Sequence, residues 1–449
     1  MPNRKRRWRR VLVTLLVISL VPVAVCAWLN LQLSVEVNKR LERIRSAGEP
    51  ITLNELNEFY ASVPANQNAA NVYTQAFELI GKSRSQGFLE KLDGLPLRSE
   101  PLPEDLQKAI EAAVAENQST FVALEKAIML KDCRYPVDYT PGWYGLLPHL
   151  KQVPQCGNLY LCRGILNEQS GDVDASLESI NAIRQCAASL DSEPDLISVL
   201  VQHTLDFQAS ELLRWLLNRR QLSQAQLSRL QQIFEKQERT NWVDRAVVSD
   251  RCMCFGMFDS VNDFLGVLAP GNDGAMGKLG FQLLRLTGRL KKDKIFYLDK
   301  LEQCRDAFRL PLPKRLDQIE EIKSETRQEA SARFYFVTGG MLPGLLKSFV
   351  RDAQNIARLR LVQTALAIEQ FRLAEGRMPP TLEELIPVYL PHVPFDPFDG
   401  EELRYRRRDV GYQLYSIRPD RFDDDASKAI TRNSKATDPK GDMVFSVAR

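Results

Sequence analysis

Histidines and catalytic signature motifs are scarce in this chain. Only three histidines occur among 449 residues, at positions 149, 203 and 392, and no C-x-x-C pair is present. Because a Cys/His zinc site needs several such ligands at short spacings, we expect no site of that kind. The chain also has no G-x-S-x-G elbow and no H-E-x-x-H motif. The sequence therefore assigns no hydrolase or zinc-peptidase chemistry.

Net charge is almost absent outside the first ten residues. Six Lys or Arg side chains fall within residues 1–10, which leaves 54 basic against 57 acidic residues in the rest of the chain. A nucleic-acid-binding protein needs a basic face, so we expect no nucleic-acid partner. The composition, with 44% hydrophobic and 26% charged residues, is that of a globular chain of roughly two to four domains.

A phosphate-binding loop is also excluded. Gly277-Lys278 lies in a stretch, residues 266–288, that holds six glycines. The phosphate-loop motif needs a glycine ahead of its Gly-Lys pair and a hydroxyl side chain after it, whereas Asn272 and Leu279 stand at these positions. We therefore expect a flexible surface loop here, with a tip that faces a membrane or a partner as the second option.

Long apolar runs are absent except at the N-terminal end. Val11–Leu29 is interrupted only by one Thr, one Ser and one Pro, and a helix of this length spans about 28 Å, enough to cross a bilayer core. The basic cluster before it places the N-terminus in the cytoplasm by the positive-inside rule. We therefore predict a cytoplasmic basic tail at 1–10 and a transmembrane signal anchor at 11–33 that contacts the lipid bilayer. The expected location is a bacterial cytoplasmic (inner) membrane, single-pass, with the bulk of the chain periplasmic.

Other interpretations of the apolar run are less favourable. Val25-Cys26-Ala27 offers a poor cleavage site for a signal peptide, and the run is longer than the apolar core of a typical signal peptide. A lipoprotein would need a small residue where Val25 stands. A buried core helix would have to hold six adjacent charges beside the core. The apolar length favours the uncleaved anchor.

Residues 34–335 are predicted to form an extracytoplasmic helical domain. Apolar residues recur at helical spacing through most of this region, and Thr52–Glu55 has the pattern of a capping box. The turn at Gly171-Asp172, with the helix after it, resembles part of a tetratricopeptide-type hairpin. No repeat of roughly 34 residues follows. The predicted fold class is therefore mainly α, with an irregular helical-hairpin (solenoid-like) body after one transmembrane helix and a small C-terminal α+β domain.

The C-terminal region contains an ordered series of motifs. A long helix is predicted to end at Gly376, and G-R-x-P, L-x-x-L-x-P and D-P-F-D-G motifs follow it. A hairpin of 402–407 and 411–417 comes next and ends in Tyr-Ser. Over residues 355–445 this order resembles the globular part of the major pseudopilin family of type II secretion. It also resembles the ending of uncharacterised membrane-anchored bacterial proteins that join such a domain to a helical body.

The resemblance implies a pseudopilin-like α+β domain at 340–449 and a calcium site. By position, Ser416, Asp420 and Asp442 match the calcium-binding loop of the family, and oxygen ligands of this type suit Ca²⁺. No other cofactor is implied. The sequence departs from the family because Arg418 replaces a glycine and the prepilin cleavage motif is missing, so we expect no assembly into a pseudopilus. The alternative is a solvated acidic loop that pairs with nearby basic residues.

Two functional interpretations are compatible with these features. The first is a membrane-anchored extracytoplasmic scaffold or protein-interaction protein without catalysis, which binds other envelope proteins, since helical stacks commonly present surfaces to partners. The second is a cell-envelope enzyme whose site is built from residues distant in sequence. A cleft with a perturbed carboxylate or histidine would favour the enzyme, and an exposed apolar groove would favour the scaffold.

Overall fold

The computed structural model of the protein describes residues 3–92, 101–145, 147–235, 242–271, 274–426 and 441–448. Most of the described residues are helical, and three short strands form one antiparallel sheet near the C-terminal end. These observations confirm the mainly α character of the predicted fold class and the small sheet expected at its end.

In chain order, the α-helices of the described residues are α1 (Asn3–Ser46), α2 (Leu53–Phe59), α3 (Ala69–Lys82), α4 (Gln86–Lys91), α5 (Glu104–Glu116), α6 (Gln118–Ile128), α7 (His149–Gln169), α8 (Val173–Ala188), α9 (Leu196–Arg219), α10 (Gln224–Glu235), α11 (Trp242–Asp259), α12 (Val261–Leu268), α13 (Ala275–Leu286), α14 (Arg289–Phe308), α15 (Lys314–Arg333) and α16 (Phe336–Glu375). Two 3₁₀ turns lie at Gly142–Tyr144 and Leu382–Leu385. The strands are β1 (Arg404–Arg407), β2 (Tyr412–Ser416) and β3 (Met443–Val447).

The helix α1 contains the segment 11–33 that the sequence predicts to cross a membrane. The side chains of most residues between 9 and 23 lie outside the described part of the structure. Among the residues that can be described, no helix is both long enough and apolar enough to span a bilayer. The transmembrane part of the predicted fold class is therefore not supported by the structure.

Local capping explains where several helices begin and end. The Thr52 hydroxyl accepts a hydrogen bond from Glu55 N, and the Glu55 carboxylate accepts one from Thr52 N, which confirms the predicted capping box. A three-residue turn joins α7 to α8, and the Asp172 carboxylate begins α8 by accepting a hydrogen bond from Ala175 N. The helix α16 ends at Gly376, as predicted, because this glycine adopts the left-handed φ of 68°.

The sheet has the strand order β1–β2–β3, with β2 in the centre. The strands β1 and β2 form the predicted hairpin. The strand β3 was not predicted, and it pairs antiparallel with β2 so that Phe445 lies opposite Leu414. Asn218 at the end of α9 binds the outer edge of β3, since its Nδ2 donates to Ser446 O at 3.0 Å and its Oδ1 accepts from Ala448 N at 2.8 Å. The sheet is thereby fastened to the helical body.

A helix replaces part of the flexible surface loop that the sequence analysis expected at 266–288. Residues 275–286 form α13, in which Phe281 is the buried side chain. The Phe281 ring packs on Phe264 of α12, with the two ring centroids 5.3 Å apart. Each of Gly277 and Gly280 costs a helix about 1 kcal/mol relative to alanine, and the burial of a phenylalanine offsets this cost. The prediction was wrong because glycine content alone was taken to exclude a helix.

The two largest hydrophobic cores lie side by side, and α9 and α16 enter both. The sheet-side core joins α3–α10 with the second half of α16 and the sheet, and it includes Leu366 and Leu414. The junction-side core joins α11–α15 with the first half of α16, and it includes Tyr297 and Phe349. The predicted boundary at 335–340 falls at the start of α16, whose two halves pack in different cores.

A layer of buried and half-buried polar side chains lies where α9 and α16 cross. Asp206 of α9 is fully buried and forms an ion pair with Arg184 of α8. It also accepts a hydrogen bond from Asn355 Nδ2 of α16 at 2.8 Å. One turn earlier on α16, Asp352 lies 3.7 Å from the Arg315 guanidinium of α15. We call these five residues the polar layer. Because a buried charge without its partner is strongly destabilising, the pairings fix how the helices cross.

We expect Asp206→Ala to lower the free energy of unfolding by about 3–5 kcal/mol, because it leaves the buried Arg184 guanidinium without its carboxylate. The measurement is urea-induced unfolding of the full chain, followed by circular dichroism. Glu178→Ala is the matched control, since Glu178 pairs with Arg229 at the surface and such pairs contribute only about 0–1 kcal/mol. An effect of Asp206→Ala no larger than that of the control would show that the polar layer does not hold the crossing.

Candidate functional site

His149 and Glu193 form a buried pair where α7 begins. His149 Nε2 lies 2.7 Å from Glu193 Oε1, and the Tyr135 ring stacks on the imidazole with centroids 4.3 Å apart. The second carboxylate oxygen of Glu193 accepts a hydrogen bond from Ser198 Oγ. The acid therefore lies between the histidine and the serine, whereas a catalytic triad places the histidine in the middle. In this arrangement His149 is not placed to take the Ser198 proton.

Two aspartates beside this pair have raised pKa values. Burial raises the pKa of Asp195 to about 6, and the neighbouring Glu193 carboxylate adds to the effect. Burial also raises the pKa of Asp250 to about 6, although the Asp250 carboxylate accepts a hydrogen bond from the Tyr297 hydroxyl. His149 and these three acids, which we call the buried acid cluster, are at most 8% exposed. The cluster has perturbed carboxylates of the kind found in active sites, but the protein closes it off from solvent.

We expect the Asp250 contribution to stability to be present at acidic pH and lost as the pH rises. The unfolded chain releases this proton near pKa 3.8 and the folded chain near about 6, so the folded state binds more protons in this window. The free energy of unfolding should therefore fall from about pH 4 to about pH 6, by on the order of 3 kcal/mol from this group. Asp250→Asn keeps an oxygen acceptor for Tyr297 and should flatten that part of the profile. The dependence of stability on pH is followed by measuring the melting temperature at several pH values across this range.

The control for this experiment is Asp409→Asn, because Asp409 lies exposed in the turn between β1 and β2. This variant should reproduce the wild-type dependence of melting temperature on pH. A profile of Asp250→Asn that coincides with the control across the acidic range would contradict the assignment of the slope to Asp250.

The residues predicted to bind calcium lie in three different environments. Ser416 is buried in β2, and its hydroxyl donates a hydrogen bond to Asp396 Oδ1 at 3.0 Å. Asp442 precedes β3 and is also buried, and its Oδ2 accepts a hydrogen bond from Ala426 N at 2.8 Å. Asp420 is exposed on the loop after β2. The structure thus joins Asp442 to the acidic loop, and it joins Ser416 to a different carboxylate.

Asp396 is a buried acceptor that the sequence analysis treated only as part of a turn motif. Its carboxylate accepts hydrogen bonds from Phe398 N at 3.0 Å and Ile417 N at 2.9 Å, and it pairs with Arg404 at 3.0 Å. Burial raises the pKa of Asp396 in spite of these bonds. The residue therefore ties the D-P-F-D-G turn to β1 and to the end of β2. The motif showed the turn, but nothing in the sequence showed that the carboxylate would be buried.

Arg418 interacts with two of the residues predicted to bind calcium. Burial lowers the pKa of the Arg418 guanidinium, and the Asp420 and Asp442 carboxylates act in the opposite direction. The backbone of Arg418 has a φ of 62°, in the left-handed region that favours glycine. The predicted resemblance to the pseudopilin family implies a glycine at this position. The chain therefore places its own positive charge beside these two carboxylates.

Among the described residues, no group of three or more Cys, His, Asp or Glu side chains is arranged to hold a metal ion. Residues 427–440, which include the basic residues expected to pair with the acidic loop, lie outside the described part of the chain. Calcium binding by Ser416, Asp420 and Asp442 therefore stays a prediction.

We expect the full chain to melt at the same temperature in calcium and in EGTA. Arg418 and the backbone N–H of Ala426 already interact with the Asp442 carboxylate, so a metal ion is not needed to stabilise its charge. Differential scanning calorimetry measures the two melting temperatures. A ligand that binds only the folded state raises its stability. A rise in calcium that disappears in Asp420→Asn and Asp442→Asn, and persists in the Asp409→Asn control, would overturn the expectation.

Polar contacts fasten the second half of α1 to α13 and α14. Asn30 Nδ2 donates a hydrogen bond to Leu286 O at 2.7 Å, and Lys291 Nζ donates one to Asn30 O at 3.1 Å. Further along α1, Arg40 forms an ion pair with Asp299 of α14 at 3.0 Å. We call this set of contacts the α1 junction. It joins a helix from the start of the chain to two helices from its middle.

The turn between α13 and α14 approaches α1 closely because residue 288 is glycine. Its φ is 71°, and a Cβ at this position would lie 2.9 Å from Leu33 Cδ1. A groove of about 600 Å³ opens beside this contact, and three of its four charged side chains are basic. The residues that line the groove include Leu33, Arg289, Lys292, Asp299, Arg333 and Tyr335.

Comparison with known proteins finds no family model, no curated protein and no solved structure that matches this chain. The resemblance of residues 355–445 to the pseudopilin globular domain therefore rests on sequence motifs and stays a prediction. The function has to be argued from the contacts of the chain itself.

Proposed function

We propose that the protein is a membrane-anchored scaffold of the bacterial cell envelope, held in the cytoplasmic membrane by α1 with its body on the periplasmic side. The observation that carries the proposal is the position of two tryptophans on α1. Trp8 and Trp28 are 67% and 59% exposed and lie twenty residues apart on one continuous helix. At 1.5 Å per residue their separation is about 30 Å, the thickness of a bilayer hydrocarbon core. Tryptophan is enriched at both membrane–water interfaces.

The segment between the two tryptophans supports the same proposal. Its side chains are apolar with few interruptions, and Leu20, Val21 and Val25 are exposed large hydrophobic residues. An apolar sequence of this length with such exposed side chains is unfavourable in water and favourable among acyl chains. The Lys and Arg side chains of residues 1–10 favour a cytoplasmic N-terminus. Together these features give a single-pass anchor over residues 11–33.

The α1 junction supports a scaffold rather than a body on a loose tether. The helix α1 continues from Asn3 to Ser46 without interruption, and the Asn30 and Arg40 contacts fasten its second half to α13 and α14. A helix that is fixed at one end in a bilayer and at the other end in a folded body holds that body in one orientation relative to the membrane. A rigid connection of this type between anchor and body suits a protein that presents binding surfaces to other envelope proteins.

The finer description of the body belongs to the same proposal. The hairpin of α7 and α8 is the unit of an irregular, solenoid-like helical stack, and such stacks commonly bind partners through their surfaces. The succession of α16, the 3₁₀ turn at Leu382–Leu385, β1 and β2 follows the order of the pseudopilin motifs. We therefore assign 34–335 to the helical body and 340–449 to a pseudopilin-like α+β domain.

A cell-envelope enzyme is the second candidate, and the buried acid cluster is the observation that favours it. The cluster combines His149 with the raised pKa values of Asp195 and Asp250. An enzyme would need to open this region to admit a substrate, since every one of these side chains is buried. The exposed apolar face of α13, described below, is instead the kind of surface that favours an interaction protein.

We expect alkaline phosphatase fused after Arg449 to be active in bacterial cells and green fluorescent protein at the same position to stay dark, because the C-terminus would be periplasmic. The chain should also remain with the membrane after alkaline carbonate extraction. A matched control changes the six basic residues of 1–10 to glutamine, which should weaken the orientation preference but not the anchoring. A fluorescent fusion, together with a carbonate-soluble chain, would refute the proposed location.

A further inference from the structure

One face of α13 is apolar, and no part of the chain that the structure describes covers it. Met276, Leu279, Leu283 and Leu286 recur at spacings of three and four residues, so they share one side of the helix. They are between 55% and 81% exposed, whereas Phe281 on the other side is buried in the junction-side core. The apolar side of an amphipathic helix is unfavourable in water, so an exposed apolar side indicates that a second, apolar medium covers it.

The position of α13 in the fold indicates which medium this is. The last residue of the helix, Leu286, accepts the hydrogen bond from Asn30, which lies two residues after Trp28 on α1. Because a helix rises 1.5 Å per residue, Asn30 lies only about 3 Å beyond Trp28 along α1, near the periplasmic end of the proposed anchor. The C-terminal end of α13 is therefore at the level where the anchor leaves the bilayer.

The charges around α13 are also those of a membrane-surface helix. Lys278 and Arg285 lie on its flank, outside the apolar face, and both are exposed. Arg289 and Lys292 follow in the first turn of α14 and line the groove beside Leu33. Interfacial helices typically combine an apolar face with Lys and Arg that attract anionic headgroups.

We propose that α13 is a second membrane contact, which lies in the periplasmic leaflet of the bilayer that holds α1. Its apolar face enters the acyl-chain region, and the basic side chains of α13 and α14 contact phospholipid phosphates. The inference rests on the proposed anchor, because it takes the membrane level from Trp28. Its consequence is that α1 and α13 form two points of attachment, so the body cannot tilt away from the membrane surface.

The test compares cysteine reactivity at two exposed positions of the full chain. Leu283→Cys and Met129→Cys are made separately, reconstituted in phosphatidylethanolamine vesicles that contain phosphatidylglycerol, and treated with N-ethylmaleimide. This reagent crosses bilayers, so it reaches both orientations of the chain. Met129 is the matched control, since it is 84% exposed at the end of α6, a helix that packs on α3 and α8. Mass spectrometry of the labelled peptides, with the wild-type chain as the background, gives the two rates.

We expect Leu283→Cys to react at least about tenfold more slowly than Met129→Cys in vesicles, because lipid covers the α13 face. Met276→Cys should be protected in the same way, and it should become reactive when Leu279→Asp and Leu283→Asp are added. Rates at positions 283 and 129 that agree within about twofold would overturn the proposal. Protection in detergent that increases with protein concentration would also overturn it, since a second copy of the chain would then cover the face.

Flotation of the same vesicles after carbonate treatment separates this inference from the proposed anchor. Chains that float while Leu283→Cys stays reactive show that α1 is an anchor and that α13 does not enter the membrane. Chains that fail to float show that the anchor itself is wrong, and the inference on α13 fails with it.

Discussion

Where α9 crosses α16, Asp206 pairs with Arg184 and accepts a hydrogen bond from Asn355, at a point between the two large cores. On α16, Phe349 packs in the junction-side core and Leu359 packs in the sheet-side core. Apolar ridges and grooves alone leave several crossings of two helices close in energy. The Arg184 and Asn355 contacts of the buried Asp206 carboxylate favour one of them, because a crossing that separates Asp206 from Arg184 leaves a buried charge without its partner. The polar layer therefore sets the relative position of the two cores.

This crossing also connects the two ends of the chain. The α1 junction attaches the N-terminal helix to α14, α14 packs against the first half of α16, and the second half of α16 carries β2 and β3. The sheet is further held by Asn218 of α9, which is the other helix of the crossing. Every step in this series is a contact between rigid helices or strands. A change in the angle at the polar layer would therefore move the sheet relative to α1.

The features that the sequence predicted well are local ones. Thr52 with Glu55, Asp172 and Gly376 each act on backbone groups within a few residues, so the pattern of side chains is sufficient to place them. The polar layer could not be predicted in the same way, because Asp206 and Asn355 are 149 residues apart and each resembles a surface residue of a long helix. The strand β3 was missed for a related reason, since its partner β2 lies beyond the acidic loop.

In the candidate site too, the local features could be predicted from the sequence and the long-range contacts could not. The order of motifs predicted the loop that contains Asp420 and Asp442, but it could not show that Arg418 interacts with both carboxylates or that Ser416 binds Asp396. The apolar spacing of α13 was present in the sequence, yet six glycines led to the prediction of a loop. The functional interpretation of the exposed apolar face of α13 depends on one hydrogen bond, between Asn30 and Leu286, which are 256 residues apart. An exposed apolar face is ambiguous by itself, because lipid, a partner or a second copy can cover it. We infer that lipid covers it because the contact with α1 places the end of that face beside the segment proposed to cross the bilayer.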